Sequence, residues 1–492
     1  MTLSHRWGEA QFIQLRHNDE DTFRQGIPWD SLPQTFKDAI RVARHLGSDY
    51  LWIDSLCIVQ DSSIDWVAEA ASMGNIYKNA LCNIAASDAS NSLEGCLYPR
   101  SHRVLGAERL PWDPISSDHW NLMNAPPSEP HESSQLYSRA WVLQEFLLAR
   151  RTVDCGRDQL FWRCDELMAS EEIPQGYPMV RSSYAQYEYT HPAREVLKNQ
   201  ACNASLKLMV EKMKQWETRH REPLETPGFS GDGKSSYSHM YDSEGSPSIL
   251  WTKLVDQYSS MSITKEEDRL AAVAGVADAF RPFLGEYYAG MWEYLLPPYL
   301  VWSTKPDLGS HWAQSRCKRP SPKRGPTWSW ISLEGPIYHD FCDFGRSGAL
   351  LTQFLDVKVL SAQDMHLRLR APLIRLTWID YVTRGMEALS LRSHKPGPAI
   401  WGSEKVLKWR SSWFESCDQT DNVWLTFDVA EEEEAARDIA LVAIHIVHNT
   451  YVYGLIVQDK GSGIFTRVGQ FCASNSCSQP FLKCDQTVVV LV

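Results

Sequence analysis

The sequence predicts an α/β domain at the N-terminal end, then a helical segment, then a β-rich C-terminal region. Strand and helix patterns alternate from Leu3 to Ser87, helical periodicity dominates residues 249–294, and period-two apolar patterns recur beyond residue 325. A chain of 492 residues is too long for one compact core. We therefore expect domains at 1–170, 171–300 and 301–492, with a Gly/Ser/Pro-rich linker near 223–247.

The order of elements in the first domain predicts a parallel sheet with flanking helices. A short strand ends near Gly8, a helix runs from about Gln34 to Gly47, and the apolar run 50–59 has the length of a strand buried on both faces. A second helix from about Asp65 and a strand at 81–87 complete the alternation. Right-handed crossovers would bring several polar or aromatic side chains to the carboxyl edge of the sheet, where α/β proteins bind ligands. They are Ser4, His5, Trp7, Asp54, Ser55 and Gln60.

Composition excludes some classes of protein. The net charge of −12 argues against a general nucleic-acid binder, although Arg150, Arg151 and the run 318–324 could form local basic patches. No apolar run approaches the roughly 20 residues that span a bilayer, and the first residues lack the features of a signal peptide. Twelve scattered cysteines are typical of reduced thiols, so we expect a cytoplasmic protein.

Two motif-like patterns carry little weight. Residues 228–235 (GFSGDGKS) match a phosphate-binding loop but have no strand before them and no helix after them, so we interpret the match as chance. Cys472, Cys477 and Cys484 are unevenly spaced and lack a histidine partner. His445 and His448 would point to opposite faces of a strand. We predict no metal site.

Two glutamates could carry chemistry. Glu145 lies in the apolar segment WVLQEFLL, where a carboxylate must be paired, neutralised or placed at a cleft. Pairing with Arg139 or Arg150 would make it structural, and placement at a cleft would make it functional; both interpretations stay open. Glu69 fits a carboxylate near the start of a helix, with a half-buried functional acid as the alternative.

Three blocks at fixed spacing resemble the heterokaryon incompatibility (HET) domain of filamentous fungi. The blocks are LSHRWG (3–8), the segment 50–80 with W-x-D-x-x-C-I-x-Q, D-W-x-x-E and M-x-x-I-Y-x-x-A, and R-x-W-x-x-Q-E (139–145). The resemblance covers about the first 165 residues. It implies an intracellular effector of non-self recognition and programmed cell death, acting with itself as a homo-oligomer or with an incompatibility partner protein. The family has more chain before the first block, so we expect either a shortened sheet edge or a gene model that starts late.

The same element order is similar, more distantly, to the Toll/interleukin receptor (TIR) fold. In that family a W-C-x-x-E segment carries the glutamate with which enzymatic members cleave NAD at the nicotinamide–ribose bond. Trp141 and Glu145 keep this spacing, with Val142 in place of the cysteine. The resemblance implies that Glu145 is catalytic. Residues lining a cleft for NAD, the possible substrate, would be Ser4, His5, Trp7, Asp54 and Trp141.

A third hypothesis, binding of a small molecule, rests on the high content of 20 tryptophans. An accessory or tailoring protein of a secondary-metabolite pathway would bind a flat small molecule in a pocket of the second half. Its lining would be Trp292, Trp302, Trp328 or Trp330. Against this, Trp328 and Trp330 in one strand would share a face and pack a core.

Overall fold

The computed structural model describes the residues needed to place the site. They are 1–100, 108–111, 119–122, 134–176, 206–219, 246–304, 317–339, 348–361, 363–378, 399–401, 409–410, 422–435, 438–447 and 450–492. The chain forms two compact units. Unit 1 comprises Met1–Thr190, Arg194–Val210 and Met261–Ala279, and unit 2 comprises His191–Ala193, Glu211–Ser260 and Phe280–Val492. The three-part division predicted from the sequence stays a prediction, and most of its linker, with the phosphate-loop match, lies outside the described residues.

Unit 1 contains a five-stranded mixed sheet in the order β1-β2-β5-β6-β7. Its strands are β1 (Thr2–Ser4), β2 (Asn83–Ala85), β5 (Arg151–Cys155), β6 (Leu160–Cys164) and β7 (Met168–Ser170), and a separate hairpin joins β3 (Glu108–Pro111) to β4 (His119–Leu122). The first three strands of the sheet are parallel, as predicted, whereas β6 and β7 add in antiparallel orientation.

Unit 1 contains five helices among its described elements up to residue 148. They are α1 (Glu20–Gln25), α2 (Gln34–His45), α3 (Asp54–Cys57), α4 (Ser63–Asn79) and α5 (Ala140–Leu148). Of these, α2 and α4 are the two predicted from helical periodicity. The Ser62 side chain caps α4 by accepting from the Asp65 amide. Gly47 follows α2 with φ of +72°, which glycine adopts without steric cost.

The predicted strand at 50–59 is shorter than expected. Trp52 alone forms a parallel bridge to Thr2, and the chain then turns into α3 at Asp54. Ile53 is buried, but Leu51 and Trp52 are only half buried. The apolar content of 50–59 therefore predicted an extended segment correctly, but the segment is shorter than predicted.

The two faces of the sheet in unit 1 differ in chemistry. Leu3, Ile84 and Val153 are register partners, so they share one face, where an apolar cluster includes Phe36 and Ala39 of α2. The opposite face is largely polar and packs against the segment 136–146, which includes α5. Its side chains come from Thr2, Ser4, Asn83, Thr152 and Asp154.

Unit 2 is built on a ten-stranded sheet with a buried aliphatic core. Its strands are β10 (Gly348–Leu350), β11 (Gln353–Val359), β12 (Met365–Trp378), β13 (Ala399–Trp401), β14 (Trp409–Arg410), β15 (Asn422–Phe427), β16 (Ile439–Val447), β17 (Tyr451–Asp459), β18 (Ile464–Ala473) and β19 (Gln486–Leu491); β8 (Tyr287–Tyr288) and β9 (Met291–Trp292) form a small hairpin. This confirms the predicted β-rich region and adds β18, whose sequence we had not singled out.

Further helices match the helical segment predicted before residue 300. They are α6 (Leu206–Arg219), α7 (Pro247–Ser259) and α8 (Ala271–Leu284), followed later by α9 (Ala430–Ala435) and α10 (Gln479–Lys483). Among the described residues, no helix combines the length and apolarity needed to cross a membrane.

Candidate functional site

The carboxyl ends of the parallel strands place the first polar residues of the candidate site. Ser4 is the last residue of β1 and lies in register with Ala85 of β2, which in turn pairs with Asp154 of β5. Ser4 and the following His5 are buried, at 2% and 3% exposure. The strand order therefore brings Ser4 and His5, which the alternation placed at this edge, together with Asp154, which it did not include.

An asparagine organises the hydroxyls at this edge. Asn83 Nδ2 donates to Ser4 Oγ at 3.0 Å, and Asn83 Oδ1 accepts from Thr2 Oγ1 at 3.0 Å. Ser4 Oγ also donates to Asn83 Oδ1 at 3.2 Å, so the two side chains form one hydrogen-bonded pair. We did not identify Asn83 from the sequence, because it lies in an ordinary strand pattern.

The buried carboxylate beside these hydroxyls is Glu145 on α5, which is only 7% exposed. The Ser4 and Tyr77 hydroxyls lie next to it, and Tyr77 Oη donates to the Leu3 carbonyl at 3.4 Å. Burial raises the pKa of Glu145 to about 6, and the two hydroxyls and the charge of Arg139 limit the rise. Burial, with the charge of Glu145, also raises the pKa of Tyr77 well above its usual value, so Tyr77 remains a hydrogen-bond donor.

The arginines that could have neutralised Glu145 have other partners. Arg139 Nη1 donates to the His5 carbonyl at 2.6 Å, and Arg150 Nε lies 3.6 Å from Asp165 Oδ2. Within the described part of the chain, no ion pair includes Glu145. The nearby Ser4 and Tyr77 hydroxyls and the charge of Arg139 favour its ionised form without an ion pair.

Asp54 connects Trp7 to the site. Its Oδ2 accepts from Trp7 Nε1 at 2.9 Å, its Oδ1 accepts from the Ser55 amide at 2.7 Å, and its side chain is 27% exposed. The negative charge of Asp54 also acts on Glu145 and opposes its ionisation. Asp54 is thus a solvent-accessible carboxylate beside the buried one.

His5 is neutral and has unused hydrogen-bonding capacity. Burial lowers its pKa to about 4, while Asp54 raises it and Arg139 lowers it. Its Nδ1 lies 3.8 Å from Asp54 Oδ1, and neither ring nitrogen has a hydrogen-bond partner among the described residues. An unsatisfied buried imidazole beside a carboxylate is the kind of group that a ligand or water would complete.

The structure brings five of the six predicted site residues into one connected group. They are Ser4, His5, Trp7, Asp54 and Glu145. Trp141, one turn before Glu145, instead packs edge to face with Trp66 at 6.2 Å between ring centroids. Gln60 binds the carbonyls of Asp54 and Ile58, which gives it a local structural contact.

The site also includes Tyr77 and Arg139, which the sequence did not predict as site residues. From the sequence, Tyr77 is only part of the HET-like segment 50–80, and Arg139 is only a possible ion-pair partner of Glu145. The helical spacing that buried Tyr77 could not indicate that its hydroxyl would reach Glu145.

A second buried carboxylate lies at the same sheet edge. The Tyr137 hydroxyl donates to Asp154 Oδ2. Burial raises the pKa of Asp154 to about 6, and the nearby hydroxyls of Ser87 and Tyr137 oppose that rise. Unit 1 therefore contains two buried carboxylates, Glu145 and Asp154, whose pKa values are raised by burial.

The tryptophans of the second half form a core. Trp292, Trp302, Trp328 and Trp330 are at most 2% exposed. The indole of Trp302 donates to the Trp328 carbonyl, that of Trp328 to Met365, and that of Trp330 to Gly290. The sequence was wrong to place Trp328 and Trp330 in a strand, because Trp330 begins a 3-10 turn. These rings line no described cavity, so they give the small-molecule hypothesis no support.

The fold and this edge define an α/β module with a polar cluster built around a buried glutamate. Residues 1–145 match the family model described as Heterokaryon incompatibility protein (HET), so this part of the chain is similar to that family, as its motifs predicted. The match supports a function of heterokaryon-incompatibility type and ends at Glu145. No curated protein and no solved structure matches the chain.

Proposed function

We propose that this chain is an intracellular effector of heterokaryon-incompatibility type, whose activity arrests growth or kills the cell. The match of residues 1–145 to the HET family supports the class of function. The Glu145 cluster supports an active role for this region, because a buried carboxylate costs stability that a purely structural module would not need.

Expression of the full chain in a fungal host tests this proposal. We expect wild type to arrest growth and Glu145→Gln to permit it at equal protein level. Glu166→Gln is the matched control, because Glu166 is exposed in the turn between β6 and β7. Normal growth with abundant wild-type protein would contradict the effector function. Equal growth arrest by wild type and Glu145→Gln would show that the effector function does not depend on Glu145.

A second candidate function is hydrolysis of NAD at the nicotinamide–ribose bond. One observation favours it: Glu145 is buried beside two hydroxyls, with Asp54 partly open to solvent next to it. With a pKa of about 6, Glu145 is mostly ionised at pH 7 and would accept a hydrogen bond from the ribose. Its charge would stabilise the oxocarbenium-like transition state.

The proposed reaction balances with water as the second reactant. The C1′–N bond breaks and its electron pair passes to the nicotinamide nitrogen, which becomes neutral. Water adds at C1′ and releases a proton, giving ADP-ribose. Asp54 and His5 would position this water, and the edge-on pair of Trp66 and Trp141 offers a half-buried aromatic surface for a base.

Nicotinamide release from NAD by the purified full chain tests this chemistry. We expect turnover by wild type and by Glu166→Gln, and none above background by Glu145→Gln. Because the chemistry requires ionised Glu145, the rate should rise with pH through about 6. Failure of wild type to release nicotinamide at high protein concentration, also when oligomerised, would rule out NAD hydrolysis and leave the effector proposal standing.

A further inference from the structure

Unit 2 contains a polar cavity that plays no part in the Glu145 site. Its volume is about 280 Å³, at the small end of ligand-binding pockets. It is bounded by the segment 319–332, α9 and strands β17 and β18. The cationic lining residues are Arg319, Lys323, Lys460 and Arg467, and the polar ones include Thr466 and Glu432.

Two arginines form a fixed inner wall of this cavity. Arg467 is fully buried and binds Asp428 through Nε and Nη2, both at 3.0 Å. Arg319 Nη2 donates to the same Asp428 at 3.1 Å, and its Nε donates to Glu432 at 2.9 Å. These contacts orient both guanidinium groups before any ligand arrives.

Arg319 keeps donor capacity beyond these contacts. Its Nη1 donates to Ser332 Oγ at 2.6 Å, and its second Nη1 hydrogen has no acceptor among the described residues. The Thr466 hydroxyl also lines the cavity. A ligand with several acceptor oxygens would complete this set.

The charge of the cavity is positive in a chain whose net charge is −12. Asp428 and Glu432 balance the two arginines, and the exposed Lys323 and Lys460 at the rim then leave two positive charges. Burial raises the pKa of Glu432, and the charge of Arg319 at 2.9 Å opposes this rise. The sequence had indicated a basic run at 318–324; in the structure it forms one wall of a cavity.

We propose that this cavity binds a small phosphomonoester. A phosphomonoester is close to a dianion at neutral pH and offers three acceptor oxygens, which matches the two uncompensated charges and the spare donors. Guanidinium groups held in fixed positions suit phosphate geometry, and lysines at the rim add point charges. The small volume favours a compact phosphate ester over a dinucleotide.

Calorimetric titration of the full chain with inorganic phosphate and with glycerol 3-phosphate tests the proposal, with glycerol as the uncharged analogue. We expect saturable binding of both phosphates. Lys323→Gln and Lys460→Gln should each weaken binding roughly threefold, and together roughly tenfold, as for partly exposed charge pairs. Lys358→Gln is the matched control, an exposed lysine on β11 that does not line the cavity.

Several results would overturn the proposal. Wild type without saturable phosphate binding would remove it, as would unchanged affinity in both cavity variants. An equal loss in Lys358→Gln would indicate non-specific attraction to surface charge. Glycerol binding as tightly as its phosphate would show that the phosphate group is not what the cavity recognises.

Discussion

Replacing Glu145 with glutamine is expected to stabilise unit 1 by about 2 kcal/mol at pH 8, a gain that disappears below about pH 4.5. The pKa of Glu145 rises from 4.5 to about 6 on folding, so the folded state holds this proton more tightly than the unfolded state. The charged carboxylate therefore destabilises the fold above pH 6 and has no such effect below pH 4.5. Glutamine is similar in size and has no charge to bury.

The same substitution is expected to remove function. If Glu145 stabilises a developing positive charge, its loss should lower nicotinamide release at least about a hundredfold. Opposite changes in stability and activity would distinguish a functional carboxylate from a structural one, whose loss would lower both.

Hydrogen exchange of the β2 and β5 amides, measured from pH 4.5 to 8, reports the stability of unit 1. Glu166→Gln serves as the control and should change it little at any pH, because Glu166 is exposed. Destabilisation by Glu145→Gln at pH 8 would contradict this account, since it would mean that the ionised carboxylate contributes net stability.

Replacing Arg467 with methionine is expected to destabilise unit 2 by roughly 3–5 kcal/mol. The substitution leaves Asp428, at 1% exposure, without its bidentate partner. It also removes the donors to the Leu300 and Trp302 carbonyls and the cation stacked 3.2 Å from the Trp302 ring centroid. Each lost contact leaves a buried polar group that water cannot reach.

Exchange of the β17 and β18 amides measures this effect. Arg375→Met is the matched control, since Arg375 is 61% exposed and pairs with Asp459 at the surface, where such pairs contribute about 1 kcal/mol or less. The double variant Arg467→Met/Asp428→Asn should recover part of the loss, because it no longer buries a carboxylate that keeps only Arg319 as a charged partner. Equal effects of Arg467→Met and Arg375→Met would show that the buried pair has no special role.

Much of the candidate site could be predicted from the positions of polar residues in the sequence. Ser4 and His5 at a strand end, Asp54 after an extended segment, and Glu145 in an apolar helix were each recognisable, and all lie in one group. What the spacing could not give was the pairing of Glu145. Its two candidate arginines were plausible neighbours in sequence, but Arg139 reaches back to the His5 carbonyl and Arg150 pairs with Asp165.

Two strand predictions that rested on apolar residue content alone were wrong in part. The run at 50–59 has the composition of a buried strand, but only Trp52 bridges to the sheet before Asp54 starts a short helix. Trp328 and Trp330 lie near a 3-10 turn rather than in a strand. Apolar composition indicates that a segment will be buried, but it does not determine whether that segment is a strand, a helix or a turn.

By itself, the sequence determined the alternation of strands and helices, because hydrophobic periodicity follows from the 3.6- and 2-residue repeats of the backbone. It also determined the HET-like motif order and the β-rich second half. Only the tertiary structure decided that one face of the first sheet is polar, that Tyr77 and Asn83 join Glu145, and that a basic run walls a cavity in unit 2. These features depend on contacts between residues far apart in the chain, which are set by packing rather than by local pattern.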